Sequence, residues 1–136
     1  MIARVERYLE PTNESGRALM QRQILGEVVM LNLLRFRDVA DYSASPELAP
    51  PSPISGAEAY QRYIDHTLPF LAESGGEVLF YGQGGPFLIG PPDETWDAAI
   101  LVRQKSVEDF IAFASNADSL AGMGHRVAAL ADSRLL

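Results

Sequence analysis

The chain has 136 residues, which is the size of one domain, and its 47% hydrophobic and 21% charged residues are typical of a folded globular protein. The formal net charge of -7 disfavours nucleic acid as a partner, because phosphates repel an acidic surface. The absence of cysteine excludes disulfides, thiolate nucleophiles and cysteine-rich metal sites. No apolar run is long enough to span a bilayer and residues 1–10 lack the apolar core of a secretory signal, so we expect a cytoplasmic protein without a membrane partner.

The first half of the chain predicts an N-terminal extension over residues 1–26, with a short helix near 13–23 that packs on the outside of the domain or on a partner. The run 27–36 is almost continuously apolar and predicts a strand covered on both faces. Alternation places Asn32 on one face of this strand and Arg35 on the other.

A proline-rich loop follows over residues 38–55, where four prolines disfavour regular structure. Long loops of this kind serve as lids over a site or as arms around a second subunit, and both interpretations stay open here. Ser55 and Glu58 form the signature of a capping box, which predicts a helix over 55–74 that ends at Gly75.

The second half of the chain alternates short apolar runs with glycine and proline. The remaining predicted elements are a strand at 77–81, a break at 82–86, a resumed strand at 87–89, a strand at 96–103, a helix capped by Ser106, a turn or short helix at 116–122, and a final strand at 125–135.

The order strand, helix, strand, strand, helix, strand predicts a single α+β domain over 1–136 with a ferredoxin-like fold, in which two main helices cover one face of a four-stranded antiparallel sheet. The other face would be bare in a monomer, although Val29, Leu31, Leu33, Val78 and Phe80 leave it apolar. A second copy of the chain is the simplest cover, so we expect a homodimer.

The sequence also resembles a known family over the stretch from Glu27 to the C-terminus, namely the domain-of-unknown-function family 1330. That family is similar to the dimeric α/β-barrel superfamily, in which two ferredoxin-like sheets pack face to face and which includes cofactor-independent monooxygenases, muconolactone-isomerase-like enzymes and haem proteins. The resemblance implies the fold and the dimer, but carries no catalytic residues. It rests on the run 28–36, Ser55-Gly56, Ala59-Tyr60, Tyr63, Gly75-Gly76, Trp96-Asp97, Arg103, Phe110 and His125-Arg126.

Four residues are candidates for substrate binding. Asn32 places a carboxamide in an apolar strand, where it contacts a ligand or makes a structural hydrogen bond. Arg35 and Arg103 lie on apolar strands and suit a carboxylate-bearing ligand, or else pair with Glu77 or Asp97. Tyr63 belongs to the core with its hydroxyl at the rim.

His66 and His125 are the candidate catalytic residues, because imidazole transfers protons near neutral pH. The sequence favours a structural role for each of them, His66 at the boundary of the core and His125 after the turn at Gly124. Their separation in the sequence matches no metal-ligand spacing, so we expect no metal.

Three functional hypotheses follow. The first is a small-molecule enzyme without a cofactor, monooxygenase- or isomerase-like, whose cavity lies between sheet and helices or at the dimer seam. In that enzyme Asn32 and Arg103 hold a polar group while His66 or His125 moves a proton. The second is a non-catalytic ligand-binding or assembly homodimer. The third is haem binding with a histidine as axial ligand.

Overall fold

In the computed structural model the chain forms a four-stranded antiparallel sheet with strand order β2-β3-β1-β4, which confirms the ferredoxin-like prediction. The structure describes residues 6–136, so the expectation about a secretory signal falls partly on residues 1–5, outside the described part. The strands are β1 (Val28–Phe36), β2 (Glu77–Pro86), β3 (Thr95–Gln104) and β4 (Leu130–Leu135). The helices are α1 (Asn13–Gln21), α2 (Gly56–Glu73), α3 (Val107–Ala114), α4 (Ala117–Leu120) and α5 (Met123–Ala129).

The core lies between the sheet and the helices. Leu34 of β1 stands opposite Ala98 of β3 and Ser133 of β4, and Leu34 is fully buried. The buried core cluster consists of Leu34, Ala59, Tyr60, Ala98, Ile100, Ala129 and Leu130. We call the opposite side of the sheet the outer face; strand register places there Val29, Leu31, Leu33, Arg35, Phe80, Ala99, Leu101, Arg103, Asp132 and Arg134.

Helix α2 begins and ends as the sequence predicts. The Ser55 hydroxyl accepts a hydrogen bond from the Glu58 N–H at 3.1 Å and caps the first turn. A Cβ on Gly56 would lie 2.2 Å from the Arg37 carbonyl oxygen and 2.6 Å from that of Ala129, so only glycine fits there. At the other end Gly75 takes the left-handed conformation with φ 84°, which terminates the helix.

The second helix of the ferredoxin-like pattern is broken into α3, α4 and α5. The predicted strand at 125–135 is therefore wrong in its first half, because Met123–Ala129 is helical and only Leu130–Leu135 pairs with β1. Alanine has the highest helix propensity, and Ala128 and Ala129 are small enough to bury the helix against α2 and the sheet. His125 consequently lies on a helix and not on a strand.

The predicted break at 82–86 is also wrong, because β2 continues through its glycines to Pro86. A Cβ on Gly84 would lie 2.2 Å from the Trp96 carbonyl oxygen, so this glycine permits close approach of the two strands instead of a turn. The predicted resumed strand at 87–89 is a loop, whose Leu88 is 99% and Ile89 92% exposed.

The proline-rich loop folds back on its own chain. The Ala40 N–H donates to the Ile54 carbonyl at 2.9 Å, which closes the loop at its base, and the Asp41 N–H donates to Ala128 of α5 at 2.9 Å. A short 3-10 helix occupies Pro46–Leu48. These contacts place the loop over α5.

The N-terminal segment before α1 is fastened to β4 and α5 by side chains. The Arg7 guanidinium donates to the Leu130 carbonyl at 2.7 Å, and the Tyr8 N–H donates to the Asp132 carboxylate at 2.8 Å. Helix α1 itself contains no buried residue. Among residues 6–136, none of the helices has the length and apolarity needed to cross a membrane.

Candidate functional site

The two predicted catalytic histidines lie close together on the helical layer. The Nδ1 atom of His125 on α5 is 2.8 Å from the Tyr42 hydroxyl, which the proline-rich loop supplies, and the two rings meet edge to face at 5.6 Å. Burial lowers the pKa of His125 from its ordinary 6.5, and the nearby Arg62 guanidinium and His66 imidazole lower it further. His125 is therefore a neutral imidazole at pH 7.

His66 is held by contacts on both sides of its ring. Its Nε2 atom is 2.8 Å from the Asp118 carbonyl oxygen, and the ring packs against Phe70 at 5.5 Å between centroids. A Cβ on Gly122 would lie 2.3 Å from His66 Cδ2, so the turn before α5 fits closely around the imidazole. This geometry favours a role for His66 in joining α2 to α4 and α5.

Asn32 and Tyr63 lie on the buried side of the sheet. The Asn32 amide donates to the Ile100 carbonyl at 3.5 Å, which is long for a hydrogen bond. The Tyr63 ring packs on Tyr60 at 5.3 Å, and burial raises the pKa of Tyr63 above its ordinary 10.0. The Tyr63 phenol is therefore protonated at neutral pH.

Arg35 and Arg103 share the outer face but occupy opposite ends of it. Arg103 pairs with Glu77 at 3.1 Å and with Glu27 at 3.6 Å. Of the two roles considered for Arg103, ligand binding or an ion pair, these contacts correspond to the ion pair. Arg103 stands opposite Val29, which lies six residues before Arg35 on β1. At the rise of a strand, the two arginines are therefore about 20 Å apart along the sheet. The six candidate residues therefore do not converge on one place.

Arg35 belongs to a cluster that the sequence did not reveal. Its Nη2 and Nε atoms donate to the Thr95 carbonyl at 2.8 and 3.2 Å, and its guanidinium carbon lies 4.6 Å from the centre of the Trp96 ring. The Arg134 guanidinium carbon lies 5.0 Å from the same ring and 4.7 Å from that of Tyr8.

Asp132 lies beneath both arginines, 2.9 Å from Arg134 Nη1 and 3.6 Å from Arg35 Nη1. Burial alone would raise the pKa of Asp132, but hydrogen bonds from the Tyr8 N–H, the Arg134 guanidinium and the Ser133 N–H hold it below its ordinary 3.8. In the sequence, Asp132 and Arg134 simply alternate along the predicted final strand. Their part in the cluster becomes visible only when strand pairing places Asp132 opposite Arg35.

An open depression of about 400 Å³ lies between the end of β1, the middle of β2 and the start of β3, and none of the six candidate residues lines it. The Asp97 carboxylate accepts a hydrogen bond from the Phe36 N–H at 2.8 Å, which fixes the carboxylate at the edge of the depression. Burial raises the pKa of Tyr81, so its phenol stays protonated at neutral pH. The depression is lined by Phe36, Tyr81, Gly82, Gln83, Asp97 and Ala98. Across residues 6–136, no three His, Asp or Glu side chains are grouped as a metal ion would require.

Comparison with solved structures gives two strong matches, both to the RPA0582 protein of Rhodopseudomonas palustris, which is described as a protein of unknown function. The methylated form is 34% identical, with a TM-score of 0.81 over 96% of this chain and 92% of that one. The other structure is also 34% identical, with a TM-score of 0.79 over 96% of this chain and 95% of that one.

A dimeric ferredoxin-like protein of unknown function from Bacteroides fragilis is 13% identical, with a TM-score of 0.49 over 81% of this chain and 92% of that one, and is too remote to support an inference. The sequence matches no protein-family model and no curated protein, so the resemblance to family 1330 is not confirmed.

Proposed function

This chain belongs to the family of the Rhodopseudomonas palustris protein RPA0582, whose function is unknown, and we propose that it is a homodimer that binds a small organic molecule in the depression between the end of β1, the middle of β2 and the start of β3. The depression carries this proposal, because its volume of about 400 Å³ lies in the range of small-molecule sites. Its lining joins apolar surface from Phe36 and Ala98 with polar groups from Tyr81, Gln83 and Asp97, and a few polar groups in an apolar pocket are what orient an organic ligand.

The dimer is supported by the outer face of the sheet. Val29 is 51% and Phe80 is 54% exposed there, and Leu31, Leu33 and Leu101 are only partly buried. Contiguous apolar surface of this kind marks an interface, and twofold pairing is the commonest way to cover it. Since Phe80 directly precedes Tyr81 and Gly82 in β2, a second copy on the outer face comes close to the rim of the depression.

Sedimentation velocity tests the dimer. We expect the wild-type chain to sediment at twice its mass and Phe80→Ser to weaken association at least tenfold, because burial of an aromatic side chain contributes roughly 1.5–3 kcal/mol and a twofold dimer loses two of them. Val39→Ser is the matched control, since Val39 is 59% exposed but lies in the proline-rich loop. A wild-type monomer at micromolar concentration contradicts the dimer.

Native mass spectrometry of freshly purified protein, followed by a screen of small aromatic and aliphatic compounds, tests the ligand. Gln83→Trp should fill the depression and abolish binding, whereas Gln21→Trp on α1 should not affect it. Binding that Gln83→Trp leaves unchanged places the ligand elsewhere, and a screen without any saturable binding contradicts the proposal.

A second candidate is the cofactor-independent enzyme, monooxygenase- or isomerase-like, with His125 as its base. The observation that favours it is the neutral imidazole of His125, oriented through Nδ1 by the Tyr42 hydroxyl. Arg103 supports it poorly, because two glutamates already engage its guanidinium. Turnover lost in His125→Gln but kept in His66→Gln would support this candidate, and turnover kept in both would exclude it.

The haem-binding alternative gains no support from these contacts. The Nε2 atom of His66 is engaged by the Asp118 carbonyl, whereas His125 contacts the Tyr42 hydroxyl through Nδ1, so only Nε2 of His125 could serve as an axial ligand. Neither histidine lines the depression. Titration with haem, followed by the Soret absorbance, is the direct test of this alternative.

A further inference from the structure

Residues 10–27, which contain α1, form an arm that is fastened by polar contacts only at its two ends. Just before the arm the Tyr8 N–H donates to the Asp132 carboxylate at 2.8 Å, and just after it β1 begins at Val28. Residues 10–26 make no hydrogen bond and no ion pair with any other part of residues 6–136. The middle of the arm is therefore not held by polar contacts with the domain it belongs to.

Helix α1, in the middle of the arm, is too short to be stable without a packing surface. It has 9 residues and includes Gly16, whereas isolated helices of fewer than about 12–15 residues are marginal in water. Helical spacing places Gly16, Leu19 and Met20 on one side and the charged side chains on the other. None of its residues is buried, and no other helix or strand of residues 6–136 packs on it through more than isolated contacts. The described part of the chain thus supplies no cover for the apolar side of α1.

Both ends of the arm lie on the outer face of the sheet. The Arg134 guanidinium carbon is 4.7 Å from the centre of the Tyr8 ring, and Glu27 pairs with Arg103 at 3.6 Å. Both arginines belong to the outer face, which is the face that the proposed dimer covers. The arm therefore leaves the domain and rejoins it on the side where a second copy lies.

The surface that the arm meets on the second copy follows from the distribution of exposed apolar side chains. The three most exposed large apolar side chains of residues 6–136 are Leu88 at 99%, Leu25 at 94% and Ile89 at 92%. Leu25 lies in the arm beside the start of β1, whereas Leu88 and Ile89 lie in the hairpin between β2 and β3, at the opposite end of the sheet. A twofold axis that crosses the strands brings opposite ends of the two sheets together, so one contact, made twice, covers all of these side chains.

We propose that the arm of one copy packs on the second copy, with Leu25 against Leu88 and Ile89 of the partner subunit. The inference rests on the proposed homodimer and names the contact that sets its orientation. The same contact brings α1 against a folded surface, which stabilises a helix that is marginal by itself. Each subunit gives one arm and receives one, as the symmetry of a twofold dimer requires.

Cross-linking between separately purified single-cysteine variants tests the contact, because the chain has no cysteine of its own. Leu25→Cys and Leu88→Cys are mixed, left to exchange subunits and treated with a short bismaleimide. We expect the main covalent dimer, identified by mass spectrometry, to contain one chain of each variant. Val39→Cys replaces Leu25→Cys as the matched control; Val39 is 59% exposed but lies in the proline-rich loop, so it should not link to Leu88→Cys.

Sedimentation equilibrium separates a failure of the arm contact from a failure of the dimer. Leu25→Ser should raise the dissociation constant about tenfold or more, because a twofold dimer loses the apolar contact twice. Leu25 is almost fully exposed, so circular dichroism should show this variant to be folded as the wild type is.

The proposal requires both results. A wild-type dimer in which either the cross-link between positions 25 and 88 or the weakening by Leu25→Ser is absent overturns the arm contact and leaves the homodimer standing. Efficient linking of Leu25→Cys only to itself would show that like ends of the two sheets meet, and this also overturns the contact. A monomeric wild type overturns the arm contact and the homodimer together.

Discussion

Gln104 is a buried polar side chain whose replacement should stabilise the protein. It ends β3 opposite Val28, is 0% exposed, and neither its Nε2 nor its Oε1 atom has a hydrogen-bond partner within residues 6–136. The amide packs against apolar groups near the end of α2, where a Cβ on Gly76 would contact both Leu71 and Gln104. The change to make is Gln104→Met, which keeps the length of the side chain and removes both polar atoms.

The expected gain follows from the cost of burying polar groups without partners. Each unsatisfied buried group costs about 1–3 kcal/mol, and methionine fills the same volume with an apolar chain. Allowing for imperfect packing of the new side chain, we expect the free energy of unfolding to rise by about 2 kcal/mol. For a chain of this size that corresponds to an increase in Tm of roughly 6–10 °C.

Urea denaturation followed by circular dichroism measures this gain, at one fixed protein concentration because the proposed dimer would add to stability. Gln21→Met at the exposed end of α1 is the control and should change the free energy of unfolding by less than about 0.5 kcal/mol. A loss of stability in Gln104→Met would refute the reasoning, because it would show that the amide makes hydrogen bonds in the native protein.

Two further predictions test the packing around α2 and the state of His125. Gly56→Ala should destabilise the protein by about 3 kcal/mol or more in a urea titration, since its Cβ would meet two backbone carbonyl oxygens. Gly85→Ala is the control: its Cβ would meet nothing within 4 Å, so stability should change by less than about 1 kcal/mol. NMR titration should give His125 a pKa below 6.5 that rises in Arg62→Gln. Because the unfolded chain then binds the proton first, the His125 contribution should reduce stability as the pH falls below 6.5; a pKa at or above that value contradicts the burial argument.

Local signals in the sequence predicted β1 and α2 well, for reasons that lie within each segment. A continuous apolar run defined β1, while the Ser55 cap and the left-handed turn at Gly75 defined the ends of α2. The strand prediction was wrong over residues 123–129 because alanine packs in strands and helices alike. Only the contact of this segment with α2 decides in favour of a helix. The glycines of β2 were wrongly predicted to break the strand. They are present because β3 approaches closely, and no local pattern in the sequence shows that approach.

The candidate site was harder to predict than the fold because it depends on contacts between distant segments. Asp132 and Arg35 are brought together only by the register of β1 and β4. His125 stays a prediction as a catalytic residue, and its partner Tyr42 could not be foreseen because it lies in a loop without a motif. The depression is formed by ordinary residues of three strands, and no residue type in it signals binding.

Strand β2 has a consequence for how this protein can be handled. It lies at one end of the strand order, and its Val78, Leu79, Phe80 and Tyr81 are all at least 37% exposed. An edge strand with four consecutive apolar side chains is a template onto which a strand of another molecule can add. The chain is therefore prone to aggregate through β2, and Leu79→Lys introduces the charge that natural edge strands use against such pairing.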